Sequence, residues 1–231
     1  MPLRWRPGTR WEYSVSTDAL GRFIEAVAGA PLDDVLRTRI FEPLGMDDTY
    51  FQVPEEKVGR LTSLFTKQAD GSRVETDPAS AESSWVTPVT LYSGGGGLVS
   101  TVSDYLKFCE MLRGLGAYKG ARVLGRKTSE YMMRNHLPGN ADLTSMGQPI
   151  FSETAYDGIG FSLAGSVVVD AIKAKALCSE GEFAWGGVAS TGFWVDRAEG
   201  IVAIFMTQLM PSSSYPIRRE LRSLVYQAIT E

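Results

Sequence analysis

The chain has 231 residues, of which 44 % are hydrophobic and 22 % charged, the composition of a globular protein able to bury a substantial core as one large domain or two small ones. Lys and Arg total 23 against 27 Asp and Glu, a net charge of −4, so no basic excess points to a nucleic-acid partner, and no apolar run is long enough to span a bilayer. Two cysteines and a single histidine, His136, exclude a disulfide framework, a Cys-rich zinc site and a His-rich metal centre. A Ser-His-Asp hydrolase would have to use His136, so the base of any hydrolytic site is sought elsewhere.

Residues Met1 to Gly8 lack the apolar segment and cleavage site of a signal peptide. They read as a loop from the middle of a protein, and a cytoplasmic location is the expectation. Ser16 or Thr17 is expected to cap a helix starting at Asp18, with Ala19, Leu20, Phe23, Ile24 and Val27 as its apolar stripe and Gly29 as its stop. Pro31 suits the start of a second helix carrying Leu32, Val35, Leu36 and Ile40, which Pro43 is expected to end. Leu61, Ser63, Phe65 and Lys67 alternate, Asp70-Gly71 turns, and Arg73-Val74-Glu75 returns, a small hairpin. Asp77 to Pro88 is a loop. Ser100 or Ser103 should cap a helix through Leu112, and Lys127 to Asn135 should form another. Leu137 to Tyr156 is loop-like.

Near Gly158 the periodicity changes from helical to two-residue. Gly158 to Asp170, Glu182 to Trp185, Ser190 to Asp196 and Ile201 to Leu209 read as strands, the last two joined by the turn Arg197-Ala198-Glu199-Gly200. Ile217, Leu221, Leu224, Val225 and Ile229 mark an amphipathic C-terminal helix. The expected fold class is α+β: a helical region with a small β excursion over residues 1–155, then antiparallel strands with a C-terminal helix packed on them over residues 156–231.

Most single motifs have plain readings. Gly94 to Gly97 lacks the lysine of a phosphate loop and reads as a turn with close backbone approach. Gly187-Val188-Ala189-Ser190-Thr191-Gly192 misses the G-x-S-x-G elbow by one position. His136 reads as a surface or capping residue, and Cys109 as core beside Leu106 and Leu112.

Four segments taken in order carry more. They are Pro7-Gly8 with Trp11-Glu12-Tyr13-Ser14-Val15; Ile40 to Thr49 around Pro43-Leu44-Gly45-Met46; Gly95-Gly96-Gly97-Leu98-Val99-Ser100-Thr101-Val102-Ser103-Asp104-Tyr105; and Phe183-Ala184-Trp185-Gly186-Gly187 with Thr191 to Asp196. Together they resemble the serine β-lactamase/penicillin-binding-protein-like superfamily, and within it the class C β-lactamase-like carboxylesterases of family VIII. Trp185-Gly186-Gly187 stands where lactamases carry K-T-G, and Val15 stands at the asparagine of Y-x-N. Neither side chain offers the groups used around a β-lactam, so an ester fits better.

The resemblance implies a β-lactamase/transpeptidase-like fold and acyl-enzyme catalysis without a metal or organic cofactor. Tyr13 would be the general base. A free tyrosine, with a pKa of about 10, needs an adjacent cation to serve as one near neutrality. The Val188 N–H would be one oxyanion donor, Trp185 would wall the substrate pocket, and Gly186 and Gly187 would let the backbone approach the acyl group. The family's serine lies in an S-x-x-K motif upstream of the tyrosine. None of the seven lysines here has Ser or Thr three residues before it. The nucleophile is therefore expected outside this chain, which reads as the C-terminal part of such a protein. Expected partners are a small ester substrate and either the upstream segment or a second copy of the chain. The alternative is a catalytically inactive module kept for binding or assembly; a lesser one is a β-lactamase or acyltransferase.

Overall fold

The computed structural model describes residues 3, 5–147 and 156–230. Helix α1 (Ser16–Ala28) begins two residues earlier than expected. Its N-cap is Val15, with no side-chain cap bond, and Gly29 ends it in the left-handed conformation. Ser16 and Thr17, the expected caps, lie inside the helix, and Asp18 in its first turn accepts from the Ser93 hydroxyl and so ties α1 to the glycine run. The expected apolar stripe is largely uncovered: of its five residues Ile24 is half-buried and the others are exposed. Gly21 is buried against Leu32 and Gly94, whereas Leu20, Phe23 and Val27 are exposed. Periodicity states which residues share a face, not whether another element covers it.

Helix α2 (Leu32–Leu36) follows Pro31 and continues through a π-helical turn, Arg37–Phe41, into α3 (Glu42–Leu44). Pro43 does not stop this run. In the wide turn the Glu42 N–H donates to the Arg37 carbonyl five residues back, Pro43 sits in the first turn of α3, and Gly45 at φ +67° supplies the stop. Strands β1 (Leu64–Lys67) and β2 (Arg73–Asp77) form the expected antiparallel hairpin, with Gly71 at φ +86° in its turn.

Helix α4 (Val102–Arg113) is capped by Thr101, whose side chain accepts from the Asp104 N–H at 3.2 Å; Ser100 and Ser103 are not the cap. Ser100 instead meets Thr49 at 2.8 Å. A two-residue hairpin, β3 (Ala117–Tyr118) and β4 (Ala121–Arg122), precedes α5 (Arg126–Met132), which ends before the expected Asn135. Asn135 turns its amide to Asn140 and the Ala141 carbonyl and accepts from the Phe161 N–H. Within the expected loop from Leu137 there is a short helix, α6 (Leu143–Met146), capped by Asp142. The rest of that loop, residues 148–155, lies outside the described residues.

The main sheet is an antiparallel meander in sequence order: β5 (Ile159–Phe161), β6 (Ser166–Val168), β7 (Phe183–Gly186), β8 (Gly192–Asp196) and β9 (Ile201–Phe205), with the short helix α7 (Ala171–Ala174) between β6 and β7. The β8–β9 hairpin was expected to reach Leu209. Pairing stops at Phe205, and β10 (Leu209–Met210) crosses over to lie parallel to β1.

Because side chains alternate across a strand, the sheet has two distinct faces. Phe183 and Val195 face a core shared with Cys109, Met111 and Leu112 of α4, and with Phe41, Leu44 and Met46. Trp194, Asp196 and Gly186 face the C-terminal helix α8 (Ile217–Tyr226), which ends short of the expected Ile229. None of the α8 residues is fully buried; polar groups fasten it. Arg222 donates to Glu182 at 2.7 Å, and Tyr226 lies 2.6 Å from Glu182 and 2.5 Å from Asp196. No described helix is long and apolar enough to cross a membrane.

Candidate active site

The segment preceding α1 is held from behind. Trp11 pairs with Gly147 in an isolated bridge, and its N–H donates to the Met146 carbonyl at 2.9 Å. This delivers Tyr13 to the C-terminal end of β7, 172 residues later in sequence, where its ring centroid lies 5.8 Å from that of Trp185. Trp185 pairs with Phe193 and shares the sheet face of Phe183, which is the face away from α8. Phe161 meets Trp185 at 5.3 Å and Trp11 at 5.1 Å, so Trp11, Tyr13, Phe161 and Trp185 form one aromatic wall. Tyr13 remains 38 % exposed at its edge. Val15 is 52 % exposed at the start of α1.

Beyond Trp185 the chain makes a tight turn. The Gly187 N–H donates to the Thr191 carbonyl at 3.0 Å, and the Ser190 N–H returns to the Gly187 carbonyl at 3.1 Å. A Cβ at Gly187 would fall 2.4 Å from the Thr191 hydroxyl, so any larger residue there would displace that side chain. Val188, at the apex, is 56 % exposed, and its N–H meets no acceptor among the described residues. A backbone N–H with no partner beside an aromatic wall is the kind of donor that could receive a developing oxyanion.

Ser190 is not a competing nucleophile. It is 3 % exposed, sits at φ +70°, and its hydroxyl donates to the Leu209 carbonyl at 2.6 Å. His136 is likewise structural: its Nε2 lies 2.8 Å from the Tyr131 carbonyl, and its ring packs edge-on against Tyr131. Cys109 is fully buried, and burial pushes its thiol up to about 12, so it has no nucleophilic role near neutrality. The glycine run is a structural turn. Gly94 and Gly95 lie against Thr17 and Asp18 of α1, and the Gly95 and Gly96 N–H groups donate to the Ser93 hydroxyl.

Trp11 and Phe161 were not legible as wall residues. Phe161 reads only as one member of a strand pattern, and Trp11 only as part of a motif. Arg218 gave no signal at all, since on α8 it reads as a solvated charge. Its Nη2 donates to the Gly187 carbonyl at 2.5 Å and to the Thr191 carbonyl at 2.7 Å. Among the described residues no cluster of three or more His, Cys, Asp or Glu has the arrangement of a metal site.

Comparison with known proteins now adds to this geometry. A family profile described as Beta-lactamase matches residues 1–227. Protein Rv1367c of Mycobacterium tuberculosis is 32 % identical over 93 % of this chain and 52 % of its own length. Esterase EstB of Burkholderia gladioli is 26 % identical over 97 % of this chain and 56 % of its own. The chain thus spans about half the length of the curated relatives it matches. Among solved structures, the LovD6 mutant of simvastatin synthase from Aspergillus terreus superposes with a TM-score of 0.81 at 22 % identity, covering 98 % of this chain and 57 % of that one, a likeness of fold. The mixed α/β architecture, its antiparallel sheet and the nearly complete profile match agree, and the chain belongs to the beta-lactamase family.

Proposed function

We propose that this chain is the C-terminal part of a serine hydrolase that cleaves carboxylic esters through an acyl-enzyme. The observation that carries the reading is the meeting of Tyr13 with Trp185, rings 5.8 Å apart, next to a turn whose Val188 N–H is left without an acceptor. A base candidate, an apolar wall and an oxyanion donor, from opposite ends of the chain, then flank one space. The esterase named among the relatives supports the same chemistry. Trp185 and Val15 offer apolar surface and neither the ammonium nor the carboxamide that Lys and Asn supply around a β-lactam, which suits an ester with apolar substituents better than a β-lactam carboxylate.

The nucleophile comes from an S-x-x-K segment outside these 231 residues. Its serine attacks the acyl carbonyl as Tyr13 takes the proton. Its lysine supplies the cationic charge that a tyrosine needs to act as a base near neutrality. The Val188 N–H and the serine's own N–H hold the oxyanion; on its collapse the C–O bond to the alcohol breaks and Tyr13 returns the proton to the departing alcohol, after which water, losing a proton to Tyr13, attacks the acyl-enzyme to release the acid and restore the serine. An acyltransferase among the relatives, the Monacolin J acid methylbutanoyltransferase of Aspergillus terreus, 23 % identical over 96 % of this chain, supports a variant of the last step in which another acceptor replaces water.

The test combines ester turnover with intact-mass analysis after treatment with a fluorophosphonate. The 231-residue chain should gain no adduct and hydrolyse short p-nitrophenyl esters poorly. A polypeptide extended upstream through an S-x-x-K segment should gain the adduct on that serine and hydrolyse the esters readily. An adduct on a serine of the 231-residue chain, or an inert extended protein, would overturn the reading.

A further inference from the structure

We propose that Arg218 of α8 is a positioning residue that aims the Val188 N–H into the cleft from the opposite face of the sheet; this rests on the reading of Val188 as the oxyanion donor. The guanidinium bridges the two carbonyls of the turn. Nη2 donates to the Gly187 oxygen at 2.5 Å and to the Thr191 oxygen at 2.7 Å, and Nε donates to the Thr191 oxygen at 3.0 Å. The peptide between Gly187 and Val188 is a single plane, and in a trans peptide the C=O and the next N–H point in opposite directions. Holding the Gly187 oxygen toward α8 therefore turns the Val188 N–H toward the other side, where Trp185 and Tyr13 lie.

Two further features fit this role. Gly186 and Gly192 face one another in the β7–β8 register. A Cβ on Gly186 would fall 2.6 Å from the Arg218 Cζ, and one on Gly192 would fall 3.4 Å from its Cγ and Nε. The glycine pair thus forms the slot through which the guanidinium reaches the turn. One helical turn further on Arg222 is anchored to Glu182, and two turns on Tyr226 is anchored to Glu182 and Asp196, so the helix carrying Arg218 is fixed against the sheet. The positive charge on the Gly187 carbonyl also polarises the peptide and strengthens the Val188 N–H as a donor. A lysine cannot replace this, because a single ammonium lacks the planar fork that spans two acceptors.

The test uses Arg218→Met and Arg218→Lys, each in the 231-residue chain and in the polypeptide extended through the S-x-x-K segment, and Arg218→Ala in the extended polypeptide for rescue. In the 231-residue chain, amide hydrogen exchange at Gly187 and Ser190, the two donors of the turn, should rise about tenfold or more in Arg218→Met while the α4 amides stay protected. In the extended protein, kcat for p-nitrophenyl esters should fall roughly 10²- to 10³-fold with KM changed less than about threefold, the signature of a lost oxyanion donor. Arg218→Lys should recover little, and added methylguanidinium should partly restore kcat in Arg218→Ala. Turn exchange unchanged in both variants, or kcat within about threefold of the parent, would overturn the proposal. So would a loss lying in KM and thermal stability alone, with no guanidinium rescue. If the extended parent protein itself lacks esterase activity, the oxyanion reading falls separately, and exchange at the turn alone decides whether Arg218 fixes this peptide.

Discussion

At the scale of single residues, the two ends of the chain contribute groups that are unremarkable alone. Tyr13 is a loop tyrosine until it meets Trp185. In the extended protein, Tyr13→Phe keeps the ring contact and removes only the proton acceptor. It should lower kcat by about 10²- to 10⁴-fold and leave KM nearly unchanged in steady-state ester kinetics, since proton transfer belongs to the transition state. Glu182 makes a different point. Its side chain is wholly buried, and that burial, opposed in part by Arg222, raises its carboxyl above the ordinary 4.5. Asp196 is displaced the other way: against burial, the Tyr226 hydroxyl and further donors hold it below 3.8. Where Glu182 is protonated in the folded chain and ionised in the unfolded one, folding takes up a proton, so stability falls as pH rises. The loss starts near 4.5 and is complete above the folded pKa of Glu182; the Asp196 contribution, of opposite sign, is confined below 3.8. Thermal unfolding from pH 4.5 upward should show this decline in the parent chain, and Glu182→Gln, which cannot ionise, should flatten it.

At the scale of elements, short-range chemistry set some helix ends: Gly29 stops α1 as expected, whereas Gly45 replaces Pro43 as the stop of α3, and α5 and α8 end at Met132 and Tyr226, short of Asn135 and Ile229. Gly29 and Gly45 end α1 and α3 because a left-handed residue closes the last turn with little steric cost. The starts depend on competition for hydroxyls: Ser100, an expected cap of α4, is engaged by Thr49, and the neighbouring Thr101 caps the helix instead. The contact between α1 and the glycine run separates two glycines that look alike in sequence. A Cβ on Gly94 would lie 2.3 Å from the Thr17 carbonyl oxygen, a backbone atom, whereas one on Gly96 meets nothing within 4 Å. Gly94→Ala should cost about 1–3 kcal/mol in chemical denaturation, as overpacking does, and Gly96→Ala should stay within about 0.5 kcal/mol.

At the scale of the whole molecule, the site is assembled from segments that the fold brings together across the sheet. The core lies on one face, between α4 and the inward residues of β7 and β8, while α8 is fastened to the other face by charged and hydroxyl groups. Catalysis by groups that act as a unit fails almost completely when one is missing, by factors on the order of 10⁶. This is the reason for expecting poor ester turnover from the 231 residues alone and recovery on extension. Leu20, Phe23 and Val27 of α1 stay exposed in these 231 residues, so the apolar stripe read from the sequence is not used in their core.

The sequence by itself determined the order of the main helices and strands, the hairpin at Asp70-Gly71, the stop of α1 at Gly29, the antiparallel β8–β9 pair and the family likeness carried by the Tyr13 and Trp185-Gly186-Gly187 motifs. These rest on periodicity and turn chemistry among residues a few positions apart. Only the tertiary structure decided that β10 leaves the main sheet for β1, that Phe161 and Trp11 complete the aromatic wall, and that Arg218 reaches the carbonyl of Gly187, 31 residues before it. The physical reason is that an exposed-looking arginine or an alternating phenylalanine has the same local pattern whatever it touches. Its role depends on where a distant strand or turn has been placed, and on whether a glycine there leaves room for it.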